Sequence, residues 1–261
     1  AGLKLSGAAG RKGRWGVEQN SVHRINGLYW DTEGNRYLGA VVLPRYGAFL
    51  SEEKCRLLED MAGKKVLEIG CGNGQSLCYM GERGVSELWG LDLSPEQLER
   101  AKENLAARGM KARLVCAPME EECGLPEAYF DLVYSIYAIG WTTDLEGTFH
   151  RIASCLKKGG TFLYSWSHPI HKCVQREGDR FVFQKSYFDG SWYTVPADFC
   201  GGELTLSDRT LSAYINALAG AGFAVERLEE EPEEALLAGE SEQAQRARLL
   251  PLTFALKARK L

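Results

Sequence analysis

The stretch EIGCGNG (68–74) sets three glycines at alternate positions, directly after the apolar run KVLEI (65–69). A strand that runs into glycines and then into a helix brings backbone N–H groups and open space to one point, with no Cβ to keep a ligand away. The register excludes two familiar uses of such a loop. With Gly70 and Gly72 as the first glycines of a G-x-G-x-x-G fingerprint, position 75 is Gln; with Gly72 and Gly74, position 77 is Leu. A dinucleotide is therefore not expected, and the phosphate loop G-x-x-x-x-G-K-[ST] is absent too. What remains is an acid followed by three spaced glycines: Glu68, Gly70, Gly72 and Gly74. Asp92 ends the next apolar run, ELWGLDL (87–93), where a carboxylate can accept hydrogen bonds from both hydroxyls of a ribose. It could instead be an acid at the start of the following helix. Ser94 already supplies that helix with a cap, which favours the ribose role.

A second group of reactive residues lies in SWSHPIHKC (165–173). His168 follows a strand directly and is the candidate general base, against the plainer reading of a hydrogen-bonded turn histidine before Pro169. His168, His171 and Cys173 form H-x-x-H-x-C, but no further ligand set accompanies them, so no metal is expected. His23 and His150 have no motif around them.

These residues need elements to position them. KVLEI, ELWGLDL, ARLVCAP (112–118), FDLVYSIYAI (130–139) and GGTFLYSWS (159–167) read as strands, apolar on both faces. Amphipathic stretches alternate with them. SPEQLERAKENLAARG (94–109) has Ser94 as N-cap, Pro95 at the first helical position and Gly109 as its stop. The alternation predicts a doubly wound α/β sheet with helices on both faces. Residues 170–207 break the rhythm: aromatic-rich and alternating, they read as one inserted hairpin with turn signals at Asp189-Gly190 and Gly201-Gly202. A helix (207–223), a strand (224–231) and a closing strand (252–258) follow.

Composition narrows the class. The chain has 261 residues, 45% hydrophobic and 25% charged, enough for one generous core. No apolar run approaches the roughly 20 residues that span a bilayer, and the basic start AGLKLSGAAGRKGRWG is too weakly apolar for a signal peptide. A cytoplasmic protein with no membrane partner is expected. The 8 cysteines (55, 71, 78, 116, 123, 155, 173 and 200) are scattered without a C-x-x-C pair, and read as free thiols. A net charge of -4 with a single short basic cluster, RKGR (11–14), argues against nucleic acid.

The loop, the acid at Asp92 and the strand order together resemble the class I S-adenosylmethionine-dependent methyltransferases, in their small-molecule, type 11-like branch. FDLVYSIYAIGW is similar to that family's fourth strand, LKKGGTFLYSWSHP to its fifth, and LSAYINALAGAGFAVERLEEEP to its last helix and sixth strand. The resemblance implies a Rossmann-like seven-stranded sheet of order 3-2-1-4-5-7-6 with the last strand antiparallel, residues 51–261 forming the domain and 1–50 an amino-terminal extension or lid. It implies S-adenosyl-L-methionine as donor, S-adenosyl-L-homocysteine as product, and in-line methyl transfer. The cofactor residues implied are Glu68, Gly70, Cys71, Gly72, Asn73, Gly74, Asp92, Leu93, Met119, Glu120, Ser135 and Ile136. One departure stands out: Ala117 occupies the place where many relatives carry an acid for the adenine amino group. Backbone near Met119 and Glu120 is then expected to hold the base, and Met119 either packs on adenine or belongs to the core.

Methyl transfer from a sulfonium requires alignment in a water-poor site, and a base only if the acceptor is protonated. The acceptor is expected at the carboxyl ends of the strands, beside residues 135–141 and 165–172. Trp30, Tyr37 and Tyr46 in the lid-like segment, Trp141 after the fourth strand, and Tyr187 and Trp192 in the hairpin are the candidate acceptor contacts. A partly apolar small-molecule acceptor follows, in a monomer or homodimer. An N-P-P-Y-type tetrapeptide and a Pro-Cys nucleophile are both missing after the fourth strand, which counts against DNA and RNA substrates. A protein or RNA methyltransferase, or a non-catalytic module that binds S-adenosylmethionine, are the alternatives.

Overall fold

A computed structural model describes residues 19–33, 41–197 and 202–261. The chain order is α1 (Gln19–Glu33), β1 (Arg45–Gly47), β2 (Leu50–Ser51), α2 (Glu52–Cys55), β3 (Lys65–Ile69), α3 (Gln75–Gly81), β4 (Glu87–Asp92), α4 (Pro95–Ala106) and β5 (Arg113–Cys116). There follow β6 (Phe130–Ile136), α5 (Leu145–Cys155), β7 (Leu156–Ser167), β8 (Val174–Glu177), β9 (Arg180–Phe183), β10 (Trp192–Ala197) and β11 (Gly202–Ser207). The chain closes with α6 (Leu211–Gly220), β12 (Phe223–Glu229), α7 (Glu242–Ala247) and β13 (Thr253–Lys260).

Seven strands form one sheet in the order β12-β13-β7-β6-β3-β4-β5. Six run in one direction, while β13 runs antiparallel to both of its neighbours, β12 and β7. This is the expected 3-2-1-4-5-7-6 order. Strand alternation divides the buried residues between the two faces. Leu67, Val133, Phe162, Tyr164 and Phe254 meet Phe149, Ile152 and Leu218 of α5 and α6 on one side. Val66, Leu132, Leu163 and Ala255 meet Leu77, Met80, Leu98 and Leu105 of α3 and α4 on the other. The helix caps form as read: Ser94 Oγ accepts from Gln97 N at 3.1 Å, with Pro95 in the first turn.

Two expectations change here. The segment 170–207 is not one hairpin. A short helical turn (169–173) leads into a small β8–β9 ribbon, and β10–β11 pair separately. Asp189-Gly190 lies in the connection between the ribbons; Asp189 Oδ1 accepts from Ser191 N at 3.0 Å, a local turn that ends no strand pair. The Gly201-Gly202 turn falls partly outside the described residues. The second change concerns Tyr46. It is fully buried among the side chains of the α3/α4 face and donates to Glu52 Oε2 at 2.5 Å, so it is a core residue and not an acceptor contact.

The carboxyl ends of β3, β4, β6 and β7 are covered from two directions. Helix α1 crosses the start of α4, where Asp31 Oδ1 accepts from Ser94 Oγ at 2.5 Å and Gln97 Nε2 donates to the Trp30 carbonyl at 2.9 Å. The same helix grips β11: Asn26 Nδ2 donates to the Thr205 carbonyl and its Oδ1 accepts from Thr205 N, each at 3.1 Å. Arg209, just beyond β11, donates to the carbonyls of Gly140 and Thr142. Among the described residues no helix is long and apolar enough to cross a membrane.

Candidate active site

The glycine loop between β3 and α3 is built from three left-handed residues with different neighbours. Gly70 (φ +71) lies against Ala138, where an added Cβ would come within 2.2 Å of that residue's own Cβ. Gly74 (φ +76) lies against α4, 2.9 Å from Ala101 Cβ and 3.2 Å from its Cα. Both are thus required by the packing of the protein on itself. Gly72 (φ +49) differs: the nearest atom to its added Cβ is Gln97 Oε1 at 3.8 Å. Of the three, this is the glycine with open space in front of it. Gly74→Ala combines left-handed strain with overpacking. It is expected to lower stability by about 2–4 kcal/mol, read as a lower urea midpoint with an unchanged slope.

Asp92 supports that loop from below. Its Oδ2 accepts from Gly72 N at 2.7 Å and its Oδ1 from Ser94 N at 2.9 Å. The carboxylate is half-buried, and desolvation raises its pKa against the pull of these backbone donors. Each oxygen keeps a second lone pair, so the brace leaves Asp92 able to accept from a ligand at the mouth of the site. Leu93 packs against Gly27 of α1, Cys71 is buried, and Asn73 is nearly buried, its carbonyl accepting from Asn104 Nδ2 at 2.9 Å.

Glu68 lies deeper. It is 2% exposed and takes a hydrogen bond from Tyr134 Oη at 3.2 Å. Burial pushes its pKa well above the usual carboxylate range, with Asp92 adding to the rise. In this geometry its carboxylate is held inside the core by Tyr134, where it supports the loop. A raised folded-state pKa means that the folded protein retains a proton which the unfolded chain releases. The Glu68 contribution is therefore full below the ordinary glutamate pKa and is lost as pH rises towards the folded value. Between those limits the loss is about 1.4 kcal/mol per pH unit. Glu68→Gln keeps the shape and removes the titration. The variant is expected to gain stability relative to wild type as pH rises above 5 in paired urea titrations; a constant difference would contradict the assignment.

Ser135 and Ile136 are core residues. Ser135 Oγ donates to the Ile69 carbonyl at 2.9 Å, tying β6 to β3, and its residue is fully buried. Ile136 is also buried, on the α3/α4 face. The strand turns one residue later, at half-buried Tyr137, a bulky side chain held at φ 55. Such strain is sustained only where the surroundings impose it. Met119 packs against the α5/α6 core. Glu120 is almost fully covered: its Oε1 accepts from Thr143 N at 2.8 Å and from Thr143 Oγ1, and pairs with His23 Nε2 at 3.0 Å. Burial raises the Glu120 pKa, but the bonds from His23 and Thr143 outweigh it and hold the carboxyl below its usual range. It thereby fastens α1 to the turn before α5.

Aromatic side chains line the next strand ends. Trp30 meets Trp141 edge-on at 5.3 Å, Trp141 meets Trp166 at 5.9 Å, and Trp166 meets Tyr137 at 5.4 Å. Gly140 makes room for this row, since a Cβ there would lie 1.9 Å from the Trp166 indole. Sequence reasoning named Trp30 and Trp141 as acceptor contacts; Tyr137 and Trp166 fell within the stretches 135–141 and 165–172 expected beside the methyl but were not singled out, although their position at the ends of β6 and β7 was the available signal. Tyr187 is placed otherwise. Its hydroxyl accepts from Leu211 N at 3.0 Å, bracing the start of α6. Trp192 is half-buried at the start of β10, opposite Ser207. Tyr37 lies outside the described residues.

His168 requires a correction. Its Nδ1 accepts from Ile170 N at 3.2 Å as the cap of the 169–173 turn, and Nε2 faces Glu230 Oε1 at 2.6 Å. With Nδ1 accepting, the proton sits on Nε2 and is directed at the carboxylate. Neither nitrogen is left for an acceptor, so the arrangement makes His168 a structural tie. His168, His171 and Cys173 do not converge, and among the described residues no cluster of three or more His, Cys, Asp or Glu is placed to hold a metal ion.

Comparison with known proteins agrees with this geometry. Residues 67–164 match the family model of a methyltransferase domain. An uncharacterized protein of Haemophilus influenzae is 30% identical over 192 residues, covering 67% of this chain and 72% of its own. The crystal structure of an S-adenosylmethionine-dependent methyltransferase from Mesorhizobium loti superposes with a TM-score of 0.68 at 28% identity, covering 78% of this chain and 94% of that one. A ubiquinone biosynthesis O-methyltransferase of Azoarcus is 33% identical over 105 residues, 40% of this chain and 45% of its own, so the match spans less than half of that relative.

Proposed function

The chain belongs to the class I S-adenosylmethionine-dependent methyltransferases, and from that premise we propose that its acceptor is a small molecule with a flat, partly apolar body. The aromatic row from Trp30 through Trp141 and Trp166 to Tyr137 carries this reading. It begins at Trp30, whose carbonyl accepts from Gln97, the residue nearest the open side of Gly72, and it runs along the strand ends where a methyl acceptor is expected. Rings at 5–6 Å, edge-on in the first two pairs and tilted at 45° in the last, offer apolar walls and ring edges to a planar guest. The O-methyltransferase name of the Azoarcus relative favours the same substrate class.

In this reading the donor lies along the loop 68–74, its ribose on Asp92 and its sulfonium tail over Gly72. The family's cofactor supplies an already activated methyl. The protein's own contribution is to hold the donor, exclude water with α1 and β10–β11, and align the acceptor. Within the amino-terminal extension, α1 acts as a cover for the site, and residues 51–261 act as the transferase domain. The test is a transfer assay with methyl-labelled S-adenosylmethionine against hydroxylated aromatics, amines, peptides and RNA. Label in a small aromatic acceptor supports the reading; label in peptide or RNA alone would replace it.

A further inference from the structure

The geometry points to Ser167 and His171 as a proton-accepting pair for an acceptor whose reacting group is a hydroxyl on an aromatic ring. This inference rests on the small-molecule reading above and names the substrate class for the same site.

Ser167 is the last residue of β7 and lies opposite Thr253 on β13. Its Oγ is 2.6 Å from His171 Nε2. On the same side of the sheet the Tyr137 hydroxyl bonds Thr253 Oγ1 at 3.2 Å and also faces Ser167. Two residues back along β7, Ser165 is fully buried with its Oγ unpartnered among the described residues. The hydroxyls of Ser167, Tyr137 and Thr253 thus gather beside one imidazole at the end of β7, with the unpartnered Ser165 two residues behind them. The cluster is continuous with the cofactor loop, because Ala138, next to Tyr137, is the residue that Gly70 touches.

The imidazole is free to take a proton. His171 is held neutral, its pKa brought down to about 4 by burial and by the charges of Lys172 and Arg246, with Asp208 opposing them, and an oxyanion formed beside it strengthens its hold on a proton again. The same positive field favours an oxyanion formed next to it. The bonds balance as follows. The acceptor oxygen forms its bond to the methyl as the carbon–sulfur bond breaks, and the bonding pair stays on sulfur, leaving a neutral thioether. The acceptor's proton passes to Ser167 Oγ while the serine proton moves to His171 Nε2; the resulting imidazolium then loses it to solvent. His168, with both nitrogens committed, has no part in this relay.

The test uses 4-nitrophenol, whose phenolate is coloured, with the full chain saturated in S-adenosylhomocysteine. Wild type is expected to bind the probe and to ionise it at least one pH unit below the free probe. His171→Gln is expected to keep its S-adenosylhomocysteine affinity and to bind the probe within about threefold, yet to lose the shift. Ser167→Ala should lose it in the same way. Bound probe without a shift, an equal shift in His171→Gln, or no probe binding to the wild-type cofactor complex would each overturn the proposal while leaving the methyltransferase reading intact. Failure of wild type to bind S-adenosylhomocysteine, measured separately by calorimetry, would remove both together.

Discussion

Asp92→Ala is expected to weaken S-adenosylhomocysteine binding by at least a hundredfold while the protein stays folded. Two losses combine. The carboxylate is the expected partner of the ribose hydroxyls, and charged hydrogen bonds of that kind contribute about 1.5–3 kcal/mol each. Asp92 also holds Gly72 N at 2.7 Å and Ser94 N at 2.9 Å, so its removal frees the loop on which the donor lies. Asp92→Asn separates the two effects. An amide oxygen can still accept from one backbone N–H, so the loop is partly held, but the charge is gone. An affinity between wild type and alanine is expected for asparagine. Equal affinity in all three proteins would remove Asp92 from the site. Calorimetric titration gives the affinities, and far-ultraviolet circular dichroism shows whether the fold persists.

Gly72→Val should abolish cofactor binding, with a smaller effect on stability. A β-branched side chain at φ +49 is strained by about 1–2 kcal/mol. Beyond that strain the added Cβ has only Gln97 Oε1 near it, at 3.8 Å, the end of a flexible side chain. The added methyls would instead occupy the space that a donor needs. The comparison with Gly74→Ala is instructive. That smaller change strikes Ala101 and is expected to reduce stability first and binding second. A Gly72→Val protein that is folded and binds S-adenosylhomocysteine normally would count decisively against the site.

These two glycines also show what could be read from the sequence and what could not. Spacing identified the loop, and the three glycines do adopt left-handed backbone, but only Gly72 has room for a ligand. That distinction depends on Ala138 and Ala101, which are remote in sequence and come near only through the sheet and the packing of α3 on α4. The strands were legible because burial on both faces leaves unbroken apolar runs. KVLEI became β3 with the bounds read from the sequence, and Ser94-Pro95 opened α4 as expected. Individual polar side chains were less legible. Glu68, Ser135 and His168 stand at the right places along the chain, yet their polar atoms are spent on Tyr134, on the Ile69 carbonyl, and on Glu230 with Ile170. No one-dimensional pattern records such pairings, because the partners come from other strands and turns. Tyr46 and the single hairpin at 170–207 fail for a related reason: aromatic content alone does not tell a pocket wall from a core or from two short ribbons.

The central claim is that residues 68–74 and Asp92 receive S-adenosylmethionine. The most direct measurement is a calorimetric titration of S-adenosylhomocysteine into the wild-type chain, paired with equilibrium dialysis against labelled S-adenosylmethionine. One site per chain with micromolar affinity, by both methods, is the predicted result. Silence in both, from a protein shown to be folded, would contradict the assignment of this loop as the donor site.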